Sequence, residues 1–193
     1  MIELELKAVV ADPGALLARL RAAGAREEFA GRMLDRRLDF PDGSLTLRDE
    51  VVRVRMYQDS AGRSTASLDW KGPASMDGGF KRREEIGAET SAGDTILEIL
   101  HRIGLRVTYA IDREIRQFSL EGATVRMEHF PRMDDLVEVE GEAAAIERAI
   151  ARLAIPRAEF SAESLAAFTA RYTARTGQPA VTGPTAEIRV PIA

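Results

Sequence analysis

The sequence contains no cysteine and only two histidines, His101 and His129. Disulfides, thiol nucleophiles and cysteine-ligated zinc are thereby excluded. A histidine-rich metal site is excluded with them. Lysine is scarce as well: Lys7, Lys71 and Lys81 stand against twenty-four arginines. Lysine offers a compact, flexible point charge where arginine offers a planar fork, and all three lysines fall in segments that read as strands. No stretch approaches the ~20 apolar residues of a membrane span, and no positively charged leader precedes an apolar run. A cytoplasmic protein with no membrane partner is the expectation. A formal net charge of -4 disfavours a general nucleic-acid footprint, so any anion site must be a local concentration of cations.

What is present suits a globular chain. Its 193 residues are 45% hydrophobic and 30% charged, enough for one domain with a substantial core. Residues 1–175 are expected to form that domain. Residues 176–193, rich in Pro, Gly and Thr, read as a loosely held tail whose pattern allows an edge strand from Glu187 to Ile192.

Strict alternation marks the strands. Met1-Ile2-Glu3-Leu4-Glu5-Leu6-Lys7 sets Glu3, Glu5 and Lys7 on one face and Ile2, Leu4 and Leu6 on the other. Further strands are expected at Met33 to Phe40, Val51 to Met56, Ser67 to Lys71 and Phe80 to Ile86. Leu105 to Leu120 supplies one or two more, and Thr124 to Phe130 and Leu136 to Glu140 follow. Helices are expected after Asp12-Pro13, an N-cap with proline at the first helical position. Others are expected from Thr90-Ser91 to Gly104, around Ile146, Ile150 and Leu153, and from about Ser161 to Tyr172. Hairpin-length loops favour an antiparallel sheet, and about eight strands can close into a barrel that holds side chains or one small ligand. Glu3-Leu4-Glu5 and Glu138-Val139-Glu140 each precede a helix that ends Ala-Arg-Leu, an echo that suggests two related units.

The charged faces of these strands carry Lys7, Arg53, Arg55, Lys71, Lys81, Arg83 and Arg113, and Glu3, Glu5, Glu85, Glu128, Glu138 and Glu140. Two arrangements satisfy the pattern. The charges can face bulk water, or the apolar faces can pack under the helices and leave the charges lining the barrel. A lined lumen must be wet and near-balanced, because a bare buried charge costs several kcal/mol. Alternation alone does not choose between them.

These residues resemble a known family. Glu3-Leu4-Glu5-Leu6-Lys7 is similar to the N-terminal ExExK signature of the CYTH superfamily, the triphosphate tunnel metalloenzymes. Val52-Arg53-Val54-Arg55, Leu68-Asp69-Trp70-Lys71-Gly72-Pro73 and Arg83-Glu84-Glu85 resemble its later basic strands, and Val137-Glu138-Val139-Glu140 its final acidic strand. The resemblance extends in order from residue 1 to about 170. It implies an α+β fold, an eight-stranded antiparallel tunnel with helices outside. It implies phosphate ligands at Lys7, Arg53, Arg55, Lys71 and Arg83, with Arg113 or Arg116 in addition. It implies metal ligands at Glu3, Glu5, Glu128, Glu138 and Glu140 for Mg²⁺ or Mn²⁺, with Glu3, Glu5 and Lys7 at the catalytic centre. For Lys81 and Glu85, surface ion pairing and a direct role weigh equally.

Within the superfamily, the Lys-Gly-Pro turn and the Leu153 to Phe168 segment look most like class IV adenylyl cyclases, which convert ATP to cyclic AMP and pyrophosphate. An inorganic or thiamine triphosphatase would use the same ligands. A non-catalytic nucleotide or polyphosphate binder would not need the carboxylates. The resemblance also makes a homodimer reasonable. Three departures stand out. Where the family often has an aromatic pair between Asp35 and Asp39, this chain has Arg37 and Leu38. It has Ser164-Leu165 for Ser-Tyr, and Asp134-Asp135-Leu136 for Gly-x-Phe.

Overall fold

A computed structural model describes residues 2–183, with side chains from Leu4 onward. Nine strands are present: β1 (Ile2–Val9), β2 (Arg26–Asp39), β3 (Val51–Asp59), β4 (Ser64–Lys71), β5 (Ser75–Asp77), β6 (Phe80–Thr90), β7 (Arg106–Leu120), β8 (Ala123–His129) and β9 (Leu136–Glu140). The helices are α1 (Pro13–Ala22), α2 (Ser44–Leu47), α3 (Gly93–Arg102), α4 (Ala143–Leu153) and α5 (Leu165–Thr176). Eight strands run in the order β1-β9-β8-β7-β2-β3-β4-β6, and β6 pairs back to β1, closing an antiparallel barrel. The short β5 adds only to β6.

Strand signals were right in kind and short in extent. β2 begins at Arg26 rather than Met33, and Leu105 to Leu120 is one strand, not two. The reason is tertiary: β2 and β7 pair along their whole lengths, interrupted by irregularities at Glu27/Phe29 and Arg37/Leu38, so each supports the other past its own alternation. The Pro-Asp-Gly-Ser turn continues into the one-turn α2. Asp39 explains that turn: its carboxylate accepts from the N–H groups of Phe40, Leu45 and Thr46 and from the Thr46 hydroxyl. The tail is held further than its composition suggests. Val181 bridges to Arg132, and the Asp112 N–H donates to the Thr182 carbonyl. The edge strand expected from Glu187 to Ile192 lies outside the described residues.

The apolar strand faces point outward, under the helices. α1 starts as its sequence dictates, with the Asp12 carboxylate accepting from the Ala15 N–H at 2.9 Å. Its Leu16 and Leu20 join Ile146, Ile150 and Leu153 of α4 over Leu6, Ala8, Val137 and Val139 of β1 and β9. The strands that carry the acidic echo are therefore neighbours, and their two following helices pack on each other. α2 and α3 cover the outside of β3 and β4 through Leu45, Ile96, Leu97 and Leu100 against Val52, Val54 and Leu68. Phe168 and Leu165 of α5 pack instead toward the barrel interior, with Ile111, Phe130 and Leu136. Among the described residues no helix is long and apolar enough to cross a membrane.

Ile146 is fully buried between α4 and the barrel wall. Ile146→Ala is expected to lower stability by about 2–5 kcal/mol, read by urea denaturation. A loss below about 0.5 kcal/mol, the range of an ordinary surface substitution, would contradict this packing.

Candidate active site

With the apolar faces committed to the helices, the opposite faces turn inward. The barrel encloses a cavity of about 680 Å³. Among the described residues nine cations line it, Lys7, Arg37, Arg53, Arg55, Lys71, Lys81, Arg83, Arg113 and Arg126, with six carboxylates, Glu5, Asp35, Asp49, Glu50, Glu128 and Glu138. Asp69, Glu85 and Glu140 reach Arg53, Lys71 and Arg126 from just beyond the lining, so the described charges nearly balance while the cations are gathered on one cavity of a chain whose net charge is -4.

Cross-strand register builds the network. Asp35 on β2 stands directly opposite Arg55 on β3, and its carboxylate accepts from Arg55 Nε at 2.7 Å and from the terminal nitrogen at 3.0 Å. Arg113 of β7 reaches the same carboxylate at 3.1 Å, and Arg53 lies 3.9 Å away. Arg113 also donates to Glu128 at 2.7 Å. Arg53 is held from its other side by Asp69 at 2.8 Å. Gly87 leaves room for that Asp69 carboxylate, since a Cβ there would stand 2.8 Å from its oxygen.

A second cluster forms between β1 and β9. Lys7 lies opposite Glu138 in register, and its ammonium contacts Glu138 at 2.7 Å and Glu5 at 2.8 Å. Arg126 of β8 pairs with Glu138, donates to Gln117 at 3.1 Å, and comes within 3.8 Å of Glu140. Lys81 pairs with Glu5, Lys71 with Glu85, and Arg83 with Asp49 near the mouth. The first turn of α5, at Ser164, Leu165 and Ala166, lines the mouth and brings a helix N-terminus to a cation-rich cavity.

The charge states follow from this packing. Burial alone would raise the Asp35 pKa, but Arg55, Arg113 and Arg53 outweigh it and hold the carboxyl well below its ordinary range. Glu138 behaves likewise: burial opposes ionisation, and Lys7 and Arg126 hold it well below the usual value. Lys7 is the mirror case, with burial working against its charge and Glu138 and Glu5 raising its pKa regardless. Arg55 and Arg126 are raised in the same way against their burial. Arg37 alone among the lumen arginines is shifted downward, because burial outweighs the attraction of Asp35 and Arg53 adds repulsion.

The residues singled out in the sequence are distributed as follows. Glu5, Lys7, Arg53, Arg55, Lys71, Arg83, Arg113, Glu128 and Glu138 all line one cavity. Arg113, not Arg116, faces the lumen; Arg116 pairs with Glu27 beside an apolar outer groove of about 520 Å³ that meets the lumen at Glu128. Lys81 is a lumen residue, whereas Glu85 serves to hold Lys71. Glu140 stands across from Glu5 in register, beyond the cavity lining. The backbone of Glu3 lies opposite Arg83, and its side chain is outside the described residues. Asp35, Arg37, Arg126 and Asp69 were not among the sequence candidates. Arg126 had a signal, its alternation with Glu128. The importance of Asp35 had none, because it depends on three arginines from two other strands.

A divalent cation fits this donor set in one respect. Carboxylates on neighbouring strands, Glu5 opposite Glu140 and Glu138 beside them, offer the hard oxygens that Mg²⁺ and Mn²⁺ prefer. Among the described residues no three His, Asp or Glu side chains converge as a ready cage. Mg²⁺ commonly needs only one or two carboxylates, completed by waters and substrate phosphate oxygens.

No family model matches the sequence, and no curated protein is a significant match to it. Solved structures do match. A provisionally named adenylate cyclase from Vibrio parahaemolyticus superposes with a TM-score of 0.74 at 19% identity, over 88% of this chain and 98% of that one. A conserved hypothetical protein from Pyrococcus furiosus gives 0.69 at 16%, over 86% and 99%. HpAC1 from Hippeastrum, provisionally called an adenylyl cyclase and described as having a dominant triphosphatase activity, gives 0.62 at 15%, over 92% and 96%. The chain thus shares the fold of these structures, a closed eight-stranded antiparallel barrel with helices outside. Two of these neighbours carry adenylyl cyclase names, in line with the resemblance carried by the motifs.

Asp35→Asn leaves three arginines without their shared carboxylate and is expected to cost about 3–5 kcal/mol. The folded pKa of Asp35 is depressed, so its contribution is complete above the unfolded value of about 4 and is lost as the pH falls further. Chemical denaturation of wild type and variant should show a constant gap from about pH 5 to 9 that narrows at pH 2–3. A gap that is unchanged in acid would overturn the assignment.

Proposed function

We propose that this chain is an enzyme that binds a triphosphate together with a divalent cation in the barrel lumen, a protein of the CYTH type. The observation that carries the reading is the convergence of nine described cations on one cavity in a chain of net negative charge. Ion pairs buried in this way add little stability over an apolar replacement, and a lumen of closely gathered Lys and Arg side chains suits a polyanion.

The geometry supports a division of roles. Lys7, Arg53, Arg55, Lys71, Arg83 and Arg113 bind phosphoryl oxygens, the arginines bidentately where their forks are free to turn. Lys7 stays protonated, since both its carboxylate neighbours raise its pKa. It therefore acts as a fixed cation and not as a base. Glu138 stays ionised under Lys7 and Arg126, and with Glu5 and Glu140 it is the set that would hold Mg²⁺ or Mn²⁺, together with Glu3 and Glu128. Such a cation lowers the pKa of an attacking oxygen and neutralises charge on the leaving phosphates. The enclosing strands and the first turn of α5 orient the chain of phosphates and limit the access of water.

The specific reading is a class IV adenylyl cyclase, in which the ribose 3′-hydroxyl of ATP attacks the α-phosphorus and pyrophosphate leaves. A second reading, hydrolysis of the terminal phosphate of tripolyphosphate or thiamine triphosphate, is favoured by the likeness to HpAC1. Both place the same side chains on the phosphates.

Incubation with ATP, tripolyphosphate and thiamine triphosphate under Mg²⁺ or Mn²⁺, followed by phosphorus NMR, tests the reading. Cyclic AMP with pyrophosphate supports the cyclase, and orthophosphate supports the triphosphatase. Tight binding of these compounds without turnover would leave a receptor and sink the enzyme.

A further inference from the structure

Arg37 is the lumen cation that the ion-pair network leaves out. Every other cation lining the cavity has a carboxylate partner. The Arg37 guanidinium has no ion pair or hydrogen bond among the described residues, and its Nε is buried without a partner. A buried donor on a charged group is costly when left unsatisfied, so a folded chain keeps one only where something else offsets the cost.

The surroundings make the position less favourable still. Register sets Arg37 directly opposite Arg53 on β3, and like charges facing across a strand pair repel. On its other side it lies opposite Tyr109 of β7, with the guanidinium carbon 5.7 Å from the ring centroid. That ring is itself fixed, because the Tyr109 hydroxyl hydrogen-bonds the Thr182 hydroxyl at 2.8 Å. The aromatic platform holds the guanidinium plane in place without neutralising it. Two arginines thus converge on one stretch of lumen wall near the mouth. Asp69 serves Arg53, and no described carboxylate pairs directly with Arg37.

We propose that Arg37, held by Tyr109 and opposed by Arg53, is an anion subsite at the mouth of the tunnel that takes a phosphoryl group of the bound polyphosphate. This rests on the triphosphate reading of the lumen and adds a ligand that the motif resemblance did not assign; at this position the resemblance leads one to expect an aromatic side chain. The physical distinction is that the other cations must loosen an internal ion pair before they meet a phosphate. Arg37 breaks nothing when it binds. It should therefore contribute disproportionately to affinity for a free polyanion.

The test uses the full chain and isothermal titration with inorganic tripolyphosphate in EDTA, so that no metal enters the reading. Arg37→Gln is expected to weaken tripolyphosphate binding by about tenfold or more, as for loss of a charged hydrogen bond. Its thermal midpoint should be equal to or above that of the wild type, because a repulsion across β2 and β3 is removed. A purely structural arginine would show the reverse, a lower midpoint with unchanged affinity, and that result overturns the proposal. Equal affinity in wild type and variant overturns it too. If Arg37→Gln does not fold, Arg37→Met, which keeps the packing on Tyr109, is read by the same criteria. Wild-type protein that binds no tripolyphosphate would defeat the triphosphate reading itself, an outcome separate from failure of the Arg37 subsite.

Discussion

One carboxylate, Asp35, holds arginines from two neighbouring strands inside a closed barrel. It meets Arg55 and Arg113 in hydrogen-bond contact and Arg53 at longer range. Without an inward negative charge at that point, the guanidinium groups of β3 and β7 could not share the lumen, and the barrel would have to open or admit much more water. A buried pair is seldom worth more than an apolar replacement of the same shape. Its presence here is better explained by what it permits: closely packed cations kept ionised and aimed into a cavity.

The same logic runs through the second cluster. Glu138 and Glu5 hold Lys7, and Glu138 also holds Arg126. Each carboxylate thus fixes a cation in the resting chain, and each is chemically able to hold a divalent metal once a polyanion draws the cations away. Pairing in the empty lumen and exchange of partners on binding would be two states of one network.

The outside of the barrel makes the inside achievable. Leu6, Ala8, Val137 and Val139 face α1 and α4, while Val52, Val54 and Leu68 face α2 and α3. Covering both flanks with apolar helices leaves the charged faces nowhere to go but inward. The mouth is finished by elements of low regularity: the turn capped by Asp39, the first turn of α5, and the segment around Thr182 that fixes Tyr109. Two of the three departures from the resembling family, Arg37-Leu38 and Ser164-Leu165, fall there; in the third, Asp135 and Leu136 line the outer groove instead.

The sequence by itself determined the alternation, and with it which side chains share a face: Glu5 with Lys7, Arg53 with Arg55, Glu138 with Glu140. It also determined α1, because an aspartate cap and a proline at the first turn act locally. Tertiary structure alone decided which face points inward, because alternation is symmetric with respect to the two sides of a sheet and only the covering helices break that symmetry. It decided Arg113 over Arg116 for the same reason, since the pairing of β7 with both β2 and β8 fixes its rotation. It also made Asp35 central and left Arg37 without a directly paired carboxylate among the described residues. Both depend on which residues stand across neighbouring strands, a relation between positions about 15 to 80 apart in the chain that no local pattern encodes.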